Sequence, residues 1–269
     1  MNVAVIMSVY FSDNNLEVKE AINSILNQSY SCDLFLFKDG DISSSLNSLI
    51  EEYSTLDNVY LINSDKNVGL AKGLNTLIDK VVEEKRYEFV ARMDSDDLSR
   101  VNRIESQVKY LTEHSEIDVL GTGCREFGSN YALEKKILPT KHEELLDLSI
   151  TRCPFIHPTV MFRVRVFESG YRYPTDTRFT EDMALWFVLL DAGYILANLD
   201  DVLLDYRLNE GTLKRRKGID KAMSEFRLRY KYMIRLKKFT LRNFMKNLAR
   251  FVFHLLPVNV LLILYKHFR

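Results

Sequence analysis

The chain has 269 residues and a mass of 31.5 kDa, with 46 % apolar and 28 % charged residues. That is a globular composition, long enough for one large domain with a small appendage. Ten Gly and five Pro exclude collagen-like and low-complexity architectures. The balance of 37 basic against 37 acidic side chains hides an asymmetry. Residues 1–213 hold 21 Lys/Arg and 35 Asp/Glu; residues 214–269 hold 16 Lys/Arg, with only Asp220 and Glu225 as acids. An acidic body with a basic tail implies an anionic partner for the tail.

In chain order, residues 3–9 (VAVIMSV) predict a buried strand and residues 14–28 a helix behind Asp13 or Asn14 as cap. Residues 33–37 predict a strand, 44–55 a helix, 59–62 a strand, 69–84 a helix and 88–93 a strand. This alternation is the signature of βαβ units around a mostly parallel sheet. Beyond residue 100 the pattern changes. Residues 101–114, 141–150 and 181–192 predict helices; 117–124, 131–138, 194–199 and 202–207 predict strands. Past Gly218 the chain reads as helical to its end, with Pro257 as a break.

Cys32, Cys124 and Cys153 form no CxxC pair, which argues against a disulfide scaffold and fits a reducing cytoplasm. The N-terminal MNVAVIMSVYF lacks a basic leader region and reads as the start of the fold. No stretch reaches the roughly 18 consecutive apolar residues of a spanning helix.

Ligands of open parallel sheets bind beyond the carboxyl ends of the strands. There the sequence places Ser8-Val9-Tyr10, then Lys38-Asp39-Gly40-Asp41, then Asn67-Val68-Gly69, then Asp94-Ser95-Asp96-Asp97. Each alone reads equally as turn or cap chemistry. Three carboxylates within four residues call for a hard divalent cation, unless they only favour a helix N-terminus. A calcium loop is disfavoured, since Ser99 stands where Gly is needed and a strand precedes. Neither GxGxxG nor GxxxxGK[ST] is present, so dinucleotide and P-loop folds lack their fingerprints.

Taken together, Ser8-Val9-Tyr10, Asp39-Gly40, the run Asn67 to Asn75, Ala91-Arg92-Met93-Asp94-Ser95-Asp96-Asp97, Arg103, His157-Pro158-Thr159-Val160-Met161, Glu181-Asp182 before Trp186, and Tyr206-Arg207 resemble a family 2 glycosyltransferase. The resemblance covers about residues 1–210. Its nearest flavour is the bacterial branch that builds O-antigen and exopolysaccharide. Lys38 departs from the family's commoner Asp-Asp-Gly-Ser pattern.

The resemblance implies the GT-A fold, an α/β architecture with a mostly parallel sheet. A nucleotide-sugar half would span about residues 1–100 and an acceptor half about 101–213, followed by the helical tail 214–269. It implies an inverting, metal-dependent hexosyl transfer from a nucleotide diphosphate sugar, UDP-galactose or UDP-glucose by branch, to a saccharide on a polyprenyl diphosphate carrier.

Asp96 would hold Mn2+ or Mg2+, with Asp94 beside it, and Asp182 would act as general base. Val9, Tyr10, Asp39, Asn67, Gly69, Arg92, Asp94 and Ser95 would line the nucleotide-sugar site. His157, Glu181, Trp186, Arg207 and Arg215 would lie toward acceptor or diphosphate. Read without the resemblance, Arg92 pairs with a neighbouring acid, Glu181-Asp182 caps a helix, and His157 is structural.

Residues 214–250 carry 14 Lys/Arg and two acids, interleaved with apolar residues at helical spacing. That pattern predicts either a membrane-surface anchor on the inner face of the cell membrane or a helical pair packed on the catalytic domain. Nucleic acid is disfavoured by the acidic body. The competing function is a non-catalytic nucleotide-binding or scaffold protein of a polysaccharide assembly complex.

Overall fold

A computed structural model describes residues 1–177, 180–209 and 218–256. The first half alternates β1 (Val3–Tyr10), α1 (Asn15–Leu26), β2 (Asp33–Asp39), α2 (Ser44–Tyr53), β3 (Val59–Ser64), α3 (Leu70–Glu84) and β4 (Phe89–Arg92). Then come β5 (Leu98–Ser99), α4 (Arg103–Glu113), β6 (Val119–Phe127), α5 (His142–Ser149), a 3-10 turn (His157–Thr159), β7 (Met161–Arg163) and α6 (Val164–Glu168). Helix α7 (Glu181–Asp191), β8 (Leu196–Arg207), α8 (Ile219–Arg235) and α9 (Leu241–Leu255) complete the described chain.

The strands form one sheet in the order β3-β2-β1-β4-β7-β6-β8-β5. The β3-β2-β1-β4 block is parallel throughout, and β7 joins β4 antiparallel. Side-chain alternation builds the layers. Val3, Val5, Met7 and Val9 enter one apolar cluster with α1, α2 and α4; Ala4 and Ile6 enter another with α3 and α7. In β2, Leu34 and Leu36 join the first, Phe35 and Phe37 the second. A Cβ on Gly73 would lie 2.7 Å from the Phe37 ring, so glycine sets how closely α3 approaches β2.

Three expectations are corrected. Residues 131–138 form no strand. Lys136 makes an isolated bridge to Cys124, and the Glu126 backbone N–H donates to the Leu133 carbonyl at 2.7 Å. On β6 the short β7 reaches only Val119 and Leu120, leaving the rest of that flank to a segment whose bonds are too few for a ladder. The two strands expected at 194–199 and 202–207 are one, β8, which absorbs irregular register against Gly121 and Gly123. The short β5, β7 and α6 were not expected.

Helix α8 packs on the body. Met233 and Tyr232 join Ile150, Met183 and Phe187 in a third apolar cluster, and Tyr232 stacks on Phe187 at 4.9 Å. Helix α9 folds back on α8. Among the described residues no helix is long and apolar enough to cross a membrane. The helical expectation for 257–269 lies outside the described residues.

Candidate active site

The parallel block brings the exits of β1, β2, β3 and β4 to one edge. Asp39, buried at the end of β2, accepts the Val68 N–H at 2.6 Å on Oδ1 and the Gly69 N–H at 3.0 Å on Oδ2. α3 has no side-chain cap of its own, so this carboxylate satisfies donors at its entrance. Asn67 donates to the Asp39 carbonyl at 3.4 Å. Gly40, at φ +79°, lets the 66–67 backbone press against it; a Cβ would stand 2.5 Å from the Asn67 nitrogen. Asp39, Asn67 and Gly69 are therefore brought together as one braced loop, and each Asp39 oxygen keeps further acceptor capacity.

At the end of β1, Val9 is wholly buried in the core, and only Tyr10 reaches the edge. Asp13 ties this exit to the carboxylate run: its Oδ2 accepts the Tyr10 N–H at 3.0 Å and the Ser95 hydroxyl at 2.9 Å. Ser95 is thus a structural link here.

Beyond β4, one oxygen from each of Asp94, Asp96 and Asp97 lies within 4.8 Å of the others. Asp97 is fully buried. Its Oδ1 accepts the Arg207 N–H at 2.7 Å, while Oδ2 is buried without a hydrogen-bond partner. Burial, and then the charges of Asp94 and Asp96, push its carboxyl well above the usual range. An orphaned buried oxygen among three carboxylates is a hard, oxygen-only donor set that fits Mg2+ or Mn2+.

Arg207 holds this loop from outside. Its Nε donates to the Asp96 carbonyl at 2.8 Å, its Nη2 pairs with Glu20 at 2.8 Å, and it lies over the Phe127 ring.

Arg92 is buried and ion-paired to Asp94 through Nη2; Nε and Nη1 have no hydrogen-bond partner. Arg103, also buried, donates to the Arg92 carbonyl at 2.9 Å and the Pro158 carbonyl at 3.0 Å. Burial pushes the Arg103 guanidinium down to about 10. This arginine joins the carboxylate strand to the 3-10 turn.

In that turn, His157 Nε2 lies 2.9 Å from the Tyr173 hydroxyl. Burial, then the Arg92 charge, hold the imidazole well below its ordinary value, so it is neutral at pH 7. Tyr173 is fixed in turn by Asn75, which exchanges two 2.8 Å hydrogen bonds with its backbone. Trp186 is a core residue, stacked on Phe162 at 5.6 Å and edge-on to His157 at 5.9 Å.

Glu181 and Asp182 open α7, where acidic side chains suit the helix N-terminus. Asp182 Oδ1 accepts the Met183 N–H at 2.7 Å, and Oδ2 meets the Cys153 thiol at 3.7 Å. Burial raises the Asp182 carboxyl against the opposing Met183 hydrogen bond and the charges of Lys221 and Arg92. Burial and the Asp182 charge raise Glu181. The Arg92 charge therefore acts on both the carboxylate run and Asp182. Arg215 lies outside the described residues.

Sequence reasoning counted Asp97 among three carboxylates suited to a divalent cation without giving it a place of its own, and assigned no role to Tyr173, Asn75 or Cys153. Asp97 carried a signal as the fourth residue of its run. The Asn75–Tyr173 bond spans 98 residues and has no local signature.

A sequence profile, "Glycosyl transferase family 2", matches residues 4–170. The chain is 32 % identical to the Escherichia coli UDP-Gal:alpha-D-GlcNAc-diphosphoundecaprenol beta-1,3-galactosyltransferase, over 98 % of this chain and 94 % of that one. It is 29 % identical to the amylovoran biosynthesis glycosyltransferase AmsE of Erwinia amylovora, over 98 % and 97 %. The mannosyltransferase PcManGT of Pyrobaculum calidifontis, solved with GDP-Man and Mn2+, superposes with a TM-score of 0.64 at 16 % identity, covering 97 % of this chain and 78 % of that one. That likeness shows the fold, which is GT-A. With the profile covering over half its length and relatives aligned nearly end to end, the chain belongs to glycosyl transferase family 2.

Proposed function

We propose that the protein is an inverting, metal-dependent hexosyltransferase. It moves galactose or glucose from a uridine diphosphate donor to a saccharide on a polyprenyl diphosphate carrier, in O-antigen or exopolysaccharide assembly. The carrying observation is the Asp94-Asp96-Asp97 cluster with its orphaned buried oxygen, together with a carboxylate of raised pKa at the start of α7 that feels the Arg92 charge. The UDP-Gal donor and lipid-linked acceptor in the E. coli relative's name support the choice of substrates.

Asp94 and Asp96 would hold Mn2+ or Mg2+, which when bound stabilises the negative charge of the departing diphosphate. Arg92 adds positive charge on the same side. Asp182 accepts the proton of the acceptor hydroxyl as its oxygen bonds to the anomeric carbon. The bond to the diphosphate oxygen breaks on the opposite face, and the configuration inverts. Tyr10 and the loop braced by Asp39 border the nucleotide. The protein works at the inner face of the cell membrane, where its acceptor is anchored, with the C-terminal hairpin against the lipid.

The test is thermal melting with UDP, GDP, dTDP, CMP and ATP, each with and without Mn2+. A ligand specific to the folded state stabilises by about 2.7 kcal/mol at a hundredfold excess over its Kd. We expect UDP to raise the midpoint only with Mn2+, and Asp96→Asn to abolish that shift. If no nucleotide shifts the midpoint, the transferase reading fails. If UDP shifts it but no sugar is transferred or hydrolysed, the protein is a nucleotide-binding scaffold.

A further inference from the structure

The C-terminal hairpin has an inner face that is more than an adhesive contact. Arg229 of α8 is buried, 1 % exposed. Its Nη1 donates to the Ser149 carbonyl and lies 3.4 Å from the Arg152 carbonyl, while its Nε donates to Glu225 at 3.0 Å. Glu225 is itself buried and also meets Arg250 and His254 of α9, the latter at 3.0 Å. Removing such charges from water costs several kcal/mol per ion before they pair. The apolar contact of Tyr232 and Met233 with Ile150, Met183 and Phe187 already supplies adhesion. A buried ionic group adds orientation, because its hydrogen bonds form in one register only.

What Arg229 grips leads to Asp182. The two carbonyls belong to the turn that ends at Cys153, whose thiol meets Asp182 Oδ2. A second contact reaches the helix that carries this carboxylate. Ser224 of α8 shares a 3.1 Å hydrogen bond with Thr180, the buried N-cap residue of α7. We infer that α8 is a positioning element for the acceptor-side carboxylate: Arg229 and Ser224 hold the 149–153 turn and the entrance of α7 that together set where Asp182 points. The inference rests on the reading of Asp182 as general base. It makes the basic tail part of the acceptor site's construction.

Cys153 reports on the arrangement without a substrate. The residue is half-buried, and burial pushes its thiol up to about 12. Cys32 and Cys124 are buried elsewhere and serve as internal references. The experiment measures N-ethylmaleimide labelling of each cysteine by peptide mass in the full-length protein, with Mn2+-UDP melting alongside.

In Arg229→Met we expect Cys153 to label about tenfold faster or more, as local opening of the turn would produce. Cys32 and Cys124 should stay protected. Loss of the Arg229 charge alone would slow the thiol, since that charge lowers its pKa, so a faster rate reads displacement. Ser224→Ala should give a smaller rise, Arg229→Lys an intermediate one, and the exposed Arg227→Met none. Should Arg229→Met fail to fold, Ser224→Ala and Arg229→Lys decide. Cys153 labelling at the wild-type rate in folded variants overturns the proposal. So does labelling of all three cysteines together, which would mean global loosening. Absence of a UDP shift in the wild type sinks the transferase reading and leaves this comparison standing.

Discussion

Asp182, the proposed general base, illustrates the tension that such a carboxyl carries. Its surroundings raise its pKa, so the charged form is less comfortable in the folded protein than in the unfolded chain. At neutral pH that group opposes folding, and the opposition vanishes as pH falls and the folded-state carboxyl is the first to take up its proton. Asp182→Asn should therefore raise the melting midpoint at pH 7 while turnover falls by about 10²–10⁴-fold, the usual worth of a general base. UDP binding should persist. The same shift places the acid limb of the wild-type rate profile above the ordinary Asp range, and the Asn variant should lose that limb. A midpoint lowered by the substitution would contradict the assignment of burial as the dominant influence. Trp186 gives the opposite lesson. Its spacing from Glu181-Asp182 marked it for the site, but its ring is wholly in the core, where it backs His157.

Among elements, α3 shows how closely its position depends on one small residue. Gly73→Ala puts a methyl into the Phe37 ring and should cost about 1–3 kcal/mol, the range for overpacking a filled core. Chemical denaturation measures this directly, and a neutral result would mean that α3 can slide off β2. Such a slide would also disturb the loop from Asp39 to Gly69 at its entrance.

The elements most legible in the sequence were those long enough to show a period. β1 to β4 and α1 to α3 follow from alternating and helical spacing, and the cluster at their carboxyl ends follows from them. β5, β7 and α6 have two, three and five residues, too few for a period to show. β8 was split at Asp200-Asp201, whereas irregular register on β6 lets the strand continue past those exposed acids. At the site, Asp94 to Asp97 was visible because it is contiguous. Arg103 and Arg207 stood out in the sequence, but it took the fold to show that Arg207 and Asp13 brace this run and that Arg103 braces the strand before it.

For the whole molecule, the outer face of the hairpin is as telling as the inner one. Leu241, Met245, Leu248, Val252 and Leu255 follow one another at helical spacing along α9, all exposed, with Leu241 at 75 %. Phe239 and Ile234 extend the apolar surface, and Arg242, Lys246, Lys237, Arg227 and Lys231 lie exposed around it. A solvated helix does not concentrate apolar side chains in this way; an anionic leaflet accepts both the stripe and the charges. Each basic side chain near such a surface contributes about 1 kcal/mol.

The full-length protein should co-sediment with phosphatidylglycerol vesicles and not with phosphatidylcholine ones, more weakly at high salt. Met245→Asp with Leu248→Asp should reduce binding by roughly a hundredfold or more, at about 2 kcal/mol for each apolar side chain left in water. Equal binding by the double variant would refute the lipid face. Dimerisation of the wild type, lost in the double variant, would assign the stripe to a second copy.

The charge boundary near residue 213 divides the chain by composition but not by folding. Tyr232 and Met233 cover apolar ground on the body, and Arg229 donates to the Ser149 carbonyl. Cutting the chain there would strip α7 of its cover and expose Phe187 and Met183 to water. Exchanging this tail for another thus means replacing two surfaces at once, an outward one that the body does not constrain and an inward one that must match Ile150, Met183 and Phe187.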